Sequence, residues 1–442
     1  MSELQVTANG DLVGTLSFDE QTGSFGFAYA PGWLAGGGFL LAPCLTPEAC
    51  ASAGGGLALH AFLGNLLPEG QALDDVAAAA RLSKANLYGL LRYLGRESAG
   101  ALAFIEPDSP PVLAARREIH RDELSQRIRD RDVTPFQVWD GKVRLSIAGV
   151  QDKIAVLKDG ERLYLADGPL ASTHVLKPAP RNPQLSHLVV NEHFCMGLAA
   201  RVKLPVAPVA LLRVPEPVLL VQRFDRALSD PATVQRIHII DACQALGLPA
   251  SHKYERNFGG GRDVQHIRDG VSLPQLFSLM RYVHHKAEGK LALLRWALFQ
   301  YLIGNSDAHG KNLSFFMRGH ALVQAPAYDL VCVERHPAFE REAAMAIGDA
   351  FDYESVGAFD WAQFAVACQL PRQLVRKEME NLAARVSKDC QLTGMSSVYQ
   401  ADELDYLQPV EALIQARTAK MLSDAPKIPK IGEAFLRGEL EA

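Results

Sequence analysis

No Cys-x-x-Cys pair occurs in the 442-residue chain, and its seven cysteines (44, 50, 195, 243, 332, 368, 390) are scattered and odd in number. That pattern argues against a zinc ribbon or a disulfide framework, so reduced, buried thiols are expected. Basic charge is not in excess. Lys and Arg number 45 against 50 Asp and Glu, for a net charge of -5, which argues against nucleic acid as the main partner of the whole surface. A local basic patch stays compatible with it. The apolar stretch 25–44 is interrupted by Gly and Pro and makes a poor membrane span. Met1-Ser2-Glu3-Leu4 shows neither a basic nor an apolar leader segment. A soluble cytoplasmic protein is expected. Internal repeats and low-complexity tracts are also absent. Apolar residues make up 48% of the chain, ample for a sizeable core. The length suggests roughly two or three domains.

Residues 3–42 alternate polar and apolar, with Asn9-Gly10 and Thr22-Gly23 as turn signals, and read as a meander of strands. Helical spacing follows over 57–95, with Ser83 as the expected N-cap of a helix over 84–94. Asp108-Ser109-Pro110-Pro111 reads as a linker. Residues 117–140 are charged and mixed. Strands are expected at 143–147, 153–157, 162–165 and 174–177, with a tight turn at Asp159-Gly160. A helix over 185–200 and strands at 206–213 and 218–224 come next. Beyond Asp225 the pattern is mostly helical, at 238–247, 273–286, 288–303, 360–369, 372–387 and 404–423. The expected class is α+β. It divides into a β-rich subdomain with helices (1–107), a second α/β part (108–225) and an all-α part (226–442).

Chemistry concentrates in Gly304-Asn305-Ser306-Asp307-Ala308-His309-Gly310-Lys311-Asn312, after the apolar run 291–303. Asp307 precedes Asn312 by five positions, and Asp329 follows in Tyr328-Asp329-Leu330. That order and spacing match a kinase catalytic loop followed by a metal-binding aspartate. Asp307 would orient the substrate hydroxyl and accept its proton. Asn312 and Asp329 offer oxygen ligands suited to Mg2+. A polar loop capping the preceding helix, with Asn305 at its C-cap, is the competing reading. His309 lacks a second ligand at zinc spacing.

Other kinase parts have candidates in the expected order. Ser146-Ile147-Ala148-Gly149-Val150-Gln151-Asp152-Lys153 lies between strands, where backbone N–H groups could cradle phosphate, although one glycine in a hairpin is often only a turn. Lys177 falls where a phosphate-contacting lysine belongs, or is a solvated strand end. Glu192 could orient it, or lie on a helix surface. Val221-Gln222-Arg223-Phe224-Asp225-Arg226 could seat an adenine, or be a strand end with a salt bridge.

At these residues the chain resembles the HipA family of bacterial serine/threonine kinase toxins. The likeness runs through Leu66-Leu67-Pro68-Glu69-Gly70, residues 94–102, 146–153 and 173–177, and Asn191-Glu192. It continues through residues 223–226, 244–249, Lys253-Tyr254-Glu255, 303–312 and Tyr328-Asp329. The resemblance implies a two-lobe, protein-kinase-like fold with an all-α C-terminal lobe and ATP in the cleft. It implies a cofactor set of Ala148, Gly149, Val150, Gln151, Asp152, Lys153, Lys177, Gln222, Arg223, Phe224, His309, Lys311 and Tyr328. It further implies phosphorylation of a serine on a cytosolic protein such as an aminoacyl-tRNA synthetase. A helix-turn-helix antitoxin is the implied partner, with DNA reached only through that complex. Ser146 matches the family's self-modified serine, and a phosphate there would repel those of ATP. Gln222 and the 147–152 loop depart from the family pattern without touching the proposed base or metal ligands. A small-molecule phosphotransferase and a non-catalytic corepressor partner of a DNA-binding antitoxin are the alternatives.

Overall fold

The computed structural model describes residues 1–436 except 53, 97, 111, 145–150, 169, 186, 231–232 and 337–340. Two compact units result. One comprises Met1–Pro180, Val209–Ala250 and Ser314–Ala325; the other comprises Arg181–Pro208, Ser251–Leu313 and Pro326–Ala442.

The first unit holds the sheets. A four-stranded antiparallel sheet orders Ser24–Tyr29, Asp11–Asp19, Ser2–Ala8 and Leu102–Ile105. Its first hairpin turns at Asn9-Gly10, where both residues take positive φ (52° and 95°) and Ala8 pairs with Asp11. Asn-Gly tolerates that left-handed pair, and the turn's twist matches the strands. A six-stranded sheet orders Val209–Arg213, Pro217–Gln222, His174–Pro178, Ile154–Asp159, Arg162–Asp167 and Ala115–Ile119. Gly160, at φ 57°, turns its central hairpin as Asp159-Gly160 implied. Alternate residues Ile154, Val156, Leu165, Leu176, Val218 and Leu220 pack with Leu124 and Ile128 of helix Arg121–Arg129 and with Phe136 and Trp139. One sheet face is thereby sealed.

The second unit is helical. Its main elements are Leu188–Arg201, Leu273–Ser278, Lys286–Ile303, Ala358–Ala367, Arg372–Asp389 and Ala401–Asp424. From Leu293 the helix Lys286–Ile303 is buried almost all round, including Trp296, Phe299 and Tyr301. A helix apolar on every side belongs at the centre of its unit. Tyr301 meets Trp361 edge-on at 5.4 Å, joining it to helix Ala358–Ala367.

Two expectations, and one detail of the competing reading of the polar loop, need correction. The last part of the chain is not all helical: Arg226–Asp230, Thr233–Arg236, Ile239–Asp241, Ser314–Arg318 and Ala321–Gln324 are strands. They are too short to stand out by period, though buried Phe315 and Met317 do alternate around a half-buried Phe316. The helix expected from 84 starts at Leu87, because Asn86 Oδ1 accepts the Gly89 N–H at 2.9 Å while Ser83 closes a turn before it. The central helix ends on Gly304 rather than Asn305. Gly304 takes φ 68° and its N–H caps the Gln300 and Tyr301 carbonyls, a left-handed conformation that suits glycine. Among the described residues, no helix is long and apolar enough to cross a membrane.

Candidate active site

The buried helix Lys286–Ile303 delivers the chain to Gly304, and the reversal there starts the polar loop. Asn305, 1% exposed, follows the Gly304 cap, and its N–H donates to the Gln300 carbonyl at 3.0 Å. Its Nδ2 donates to Gln300 Oε1 at 2.9 Å and to the Asp329 carbonyl at 3.3 Å. One buried amide thus ties the 304–312 loop to the stretch carrying Asp329. Buried polar groups persist where such bonds satisfy them.

Asp307 is half-buried. Its backbone carbonyl accepts from His309 N–H at 2.8 Å and from Asn312 Nδ2 at 2.9 Å. Its Oδ1 accepts from the Tyr254 hydroxyl at 2.6 Å. The loop is therefore a folded knot in which Asn312, five residues on, is fixed against Asp307. His309 is 8% exposed; its Nδ1 accepts the Lys311 N–H at 3.2 Å, and its ring meets Tyr254 edge-on at 5.1 Å. Burial, with the Lys253 and Lys311 charges adding to it, pushes its pKa down to about 3, so the ring is neutral at physiological pH. That fits an accepting Nδ1. The loop is pinned from outside as well: Gly310 N–H donates to the Lys253 carbonyl at 2.9 Å, and Tyr328 Oη to the Lys311 carbonyl at 2.6 Å.

Asp329 takes φ 57°, the left-handed region that few non-glycine residues occupy. Such a conformation costs on the order of 1 kcal/mol or more and persists only where neighbours hold it. Asp307, Asn312, Asp329, His309, Lys311 and Tyr328 thus share one hydrogen-bonded neighbourhood of the helical unit. Among the described residues no group of three His, Cys, Asp or Glu could hold a metal ion by itself.

The remaining candidates other than Glu192 lie in the sheet-bearing unit. Lys177 is no solvated strand end: it is 9% exposed, within a strand paired on both sides, opposite Leu219. A buried ammonium requires anionic or polar company. Gln151 donates from Nε2 to the Pro178 carbonyl at 3.0 Å, Asp152 faces Arg131 at 3.9 Å, and Lys153 is buried. Ser146, Ala148, Gly149 and Val150 lie outside the described residues. Gln222 is exposed at the strand end, and Phe224 meets Phe316 edge-on at 5.9 Å. The Arg223 guanidinium turns inward, to Asp225 Oδ1 at 2.9 Å and Oδ2 at 2.7 Å and to Ser172 Oγ at 2.8 Å. The salt bridge weighed as the alternative for this segment is present, and it occupies the Arg223 side chain. Glu192, in the helical unit, is 1% exposed and so is not a helix-surface glutamate.

Residues 4–105 match the HipA N-terminal domain and residues 145–416 the HipA-like C-terminal domain. The chain belongs to the HipA family. It is 39% identical to the serine/threonine-protein kinase toxin HipA of Shewanella oneidensis over 417 residues, 93% of this chain and 94% of that one. The Sinorhizobium fredii protein Y4mE is 35% identical over 86% of this chain and 89% of its own. A solved complex of Shewanella oneidensis HipA, HipB and operator DNA contains a chain that superposes with a TM-score of 0.87 at 37% identity. The match covers 97% of this chain and 100% of that one. This HipA-family chain is a serine/threonine-protein kinase by class. The Tyr254 and Asn305 contacts had no signal in spacing, although Tyr254 lies within a stretch that carried the family likeness.

Proposed function

We propose that this HipA-family protein transfers the γ-phosphoryl group of ATP to a protein serine, with Asp307 as the group that takes the hydroxyl proton. The knot that joins Asp307 to Asn312 and Tyr254 carries the reading. A base must be held within reach of the proton it accepts, and three hydrogen bonds hold Asp307 itself.

Magnesium fits the residues present. Asn312 spends its Nδ2 on the Asp307 carbonyl, which orients its Oδ1 as the donor atom for a cation, and Asp329 supplies a carboxylate. One amide and one carboxylate oxygen suit an ion that takes its other ligands from water and phosphate. When bound, Mg2+ would neutralise charge on the phosphate oxygens. The buried Lys177 ammonium fits a phosphate-contacting role, and the 148–153 segment is the proposed phosphate loop. Gln222 and Phe224 are the proposed adenine neighbours, and His309, Lys311 and Tyr328 support the loop beside the cofactor.

The toxin role follows from the family and from the relative solved with HipB and operator DNA. A helix-turn-helix antitoxin is the proposed partner, DNA being engaged through that complex. The proposed target is a serine of a cytosolic protein, with an aminoacyl-tRNA synthetase as leading candidate, and Ser146 is the proposed self-modified residue. The direct test measures transfer of labelled phosphate to self and to lysate proteins. Asp307→Gln and Asp329→Asn should each abolish it while circular dichroism stays native. Wild-type transfer by either purified variant refutes the assignment, and turnover with sugars alone would favour a small-molecule phosphotransferase.

A further inference from the structure

We infer that Asn191 is a positioning residue that holds the Asp329 segment in its metal-binding shape, an inference that rests on the proposed magnesium role of Asp329. Asn191 is 0% exposed, on helix Leu188–Arg201. Its Oδ1 accepts the Cys332 N–H at 2.8 Å, and its Nδ2 donates to the Cys332 carbonyl at 3.1 Å. A single amide thus satisfies both backbone groups of one residue, as a neighbouring strand would. Its orientation is chemically fixed, because a backbone N–H can only donate and a carbonyl only accept. The same Nδ2 lies 2.9 Å from Tyr406 Oη and 3.3 Å from His336 Nε2, and those two atoms are 2.7 Å apart.

Cys332 lies three residues beyond Asp329, whose left-handed backbone needs restraint on both sides. Asn305 holds the Asp329 carbonyl itself. Downstream, Asn191 holds Cys332, and Glu334 N–H donates to the Gly304 carbonyl at 3.2 Å. The Glu334 carboxylate meets Arg417 at 2.6 Å. Asn191 therefore works as a clamp from a helix 141 positions away in sequence. Residues that orient a ligand without touching the metal commonly change its affinity roughly 10- to 100-fold when removed.

The test uses the full chain with Mn2+ as probe and a non-hydrolysable ATP analogue. Bound Mn2+ is counted by electron paramagnetic resonance, and amide exchange is followed in peptides covering 327–335. Asn191→Ala should weaken Mn2+ about tenfold and speed exchange at Cys332. Should Asn191→Ala not fold, the isosteric Asn191→Asp, which keeps the acceptor but not the donor, is read by the same two signals with weakened Mn2+ expected. Tyr399→Phe removes the 2.8 Å bond from Tyr399 to His193 of the same helix. It should leave Mn2+ affinity unchanged even if melting falls. Wild-type Mn2+ affinity in the Asn191 variants, with affinity lost in Asp329→Asn, overturns the clamp and spares the metal role. Wild-type affinity in Asp329→Asn removes the metal role and the clamp with it.

Discussion

Tyr254 donates its phenolic hydrogen to Asp307 Oδ1 across 2.6 Å while its ring stands edge-on to His309. The bond restrains one carboxylate oxygen of this half-buried side chain. Tyr254→Phe keeps the ring and its edge contact and removes the donor. A hydrogen bond to a charged group is worth about 1.5–3 kcal/mol. If the bond aligns the base, kcat for phosphoryl transfer should fall about tenfold or more, with KM for ATP near wild type. Steady-state kinetics on a protein substrate decide it, and an unchanged kcat would leave Tyr254 as packing alone.

Ser146 belongs to the proposed phosphate loop, and a phosphate there carries about two negative charges at neutral pH. Those charges would oppose ATP phosphates at the same place. Ser146→Ala should therefore remove the mass of one phosphate from the intact protein and prolong kinase activity in a time course with ATP. A stoichiometric phosphate persisting in Ser146→Ala would place self-modification elsewhere.

Local rules carried far along this chain. Asn9-Gly10 forms a turn because both residues accept a left-handed backbone, and Gly160 opens the second hairpin's turn in the same region. The run ending at Ile303 is central because it is apolar on every side. The Asp307–Asn312 spacing is legible because one short loop carries both residues. Tyr254 reaches Asp307 from 53 positions away and Asn191 reaches Cys332 from 141. No periodicity encodes such pairs; the fold alone makes them. Arg223 shows the same limit, since the strand-end pattern allowed either an adenine neighbour or an ion pair. Only the inward rotamer, onto Asp225 and Ser172, tells what its guanidinium does.

Asp225 sits at the centre of a buried ion cluster. Besides Arg223, it accepts from Arg226 Nη1 at 2.7 Å and from the Gly100 N–H at 2.8 Å, while Arg226 also reaches the Gly100 and Ser98 carbonyls. Burial alone would raise the carboxyl's pKa, but the two guanidiniums hold it well below the ordinary range. Asp225→Asn leaves both guanidiniums uncompensated, so a loss of roughly 3–5 kcal/mol is expected. The exposed pair Arg92–Glu106, 3.5 Å apart, is the control. Arg92→Ala should change stability by no more than about 1 kcal/mol. Urea unfolding of both variants measures the contrast, and equal small losses would show that the cluster contributes little.

His238 predicts how stability responds to acid. Its ring stacks on Phe39 at 4.2 Å and its Nε2 lies 3.0 Å from the Leu41 carbonyl, so that nitrogen carries the proton. Its Nδ1 is buried without a hydrogen-bond partner. Burial pushes the pKa from 6.5 down to about 4, against a small opposing effect of the Leu41 bond. Between those pH values the unfolded chain takes up a proton that the folded chain refuses. The neutral ring's contribution is thus complete above about pH 6.5. It falls by up to about 1.4 kcal/mol per pH unit towards about pH 4. His238→Gln can keep a donor near Leu41 but cannot titrate. It should be less stable than wild type at pH 7.5, through loss of the stack on Phe39, yet lose less between pH 6.5 and pH 4.5 in urea unfolding. Parallel pH slopes for the two proteins would mean that His238 is not the group refusing the proton.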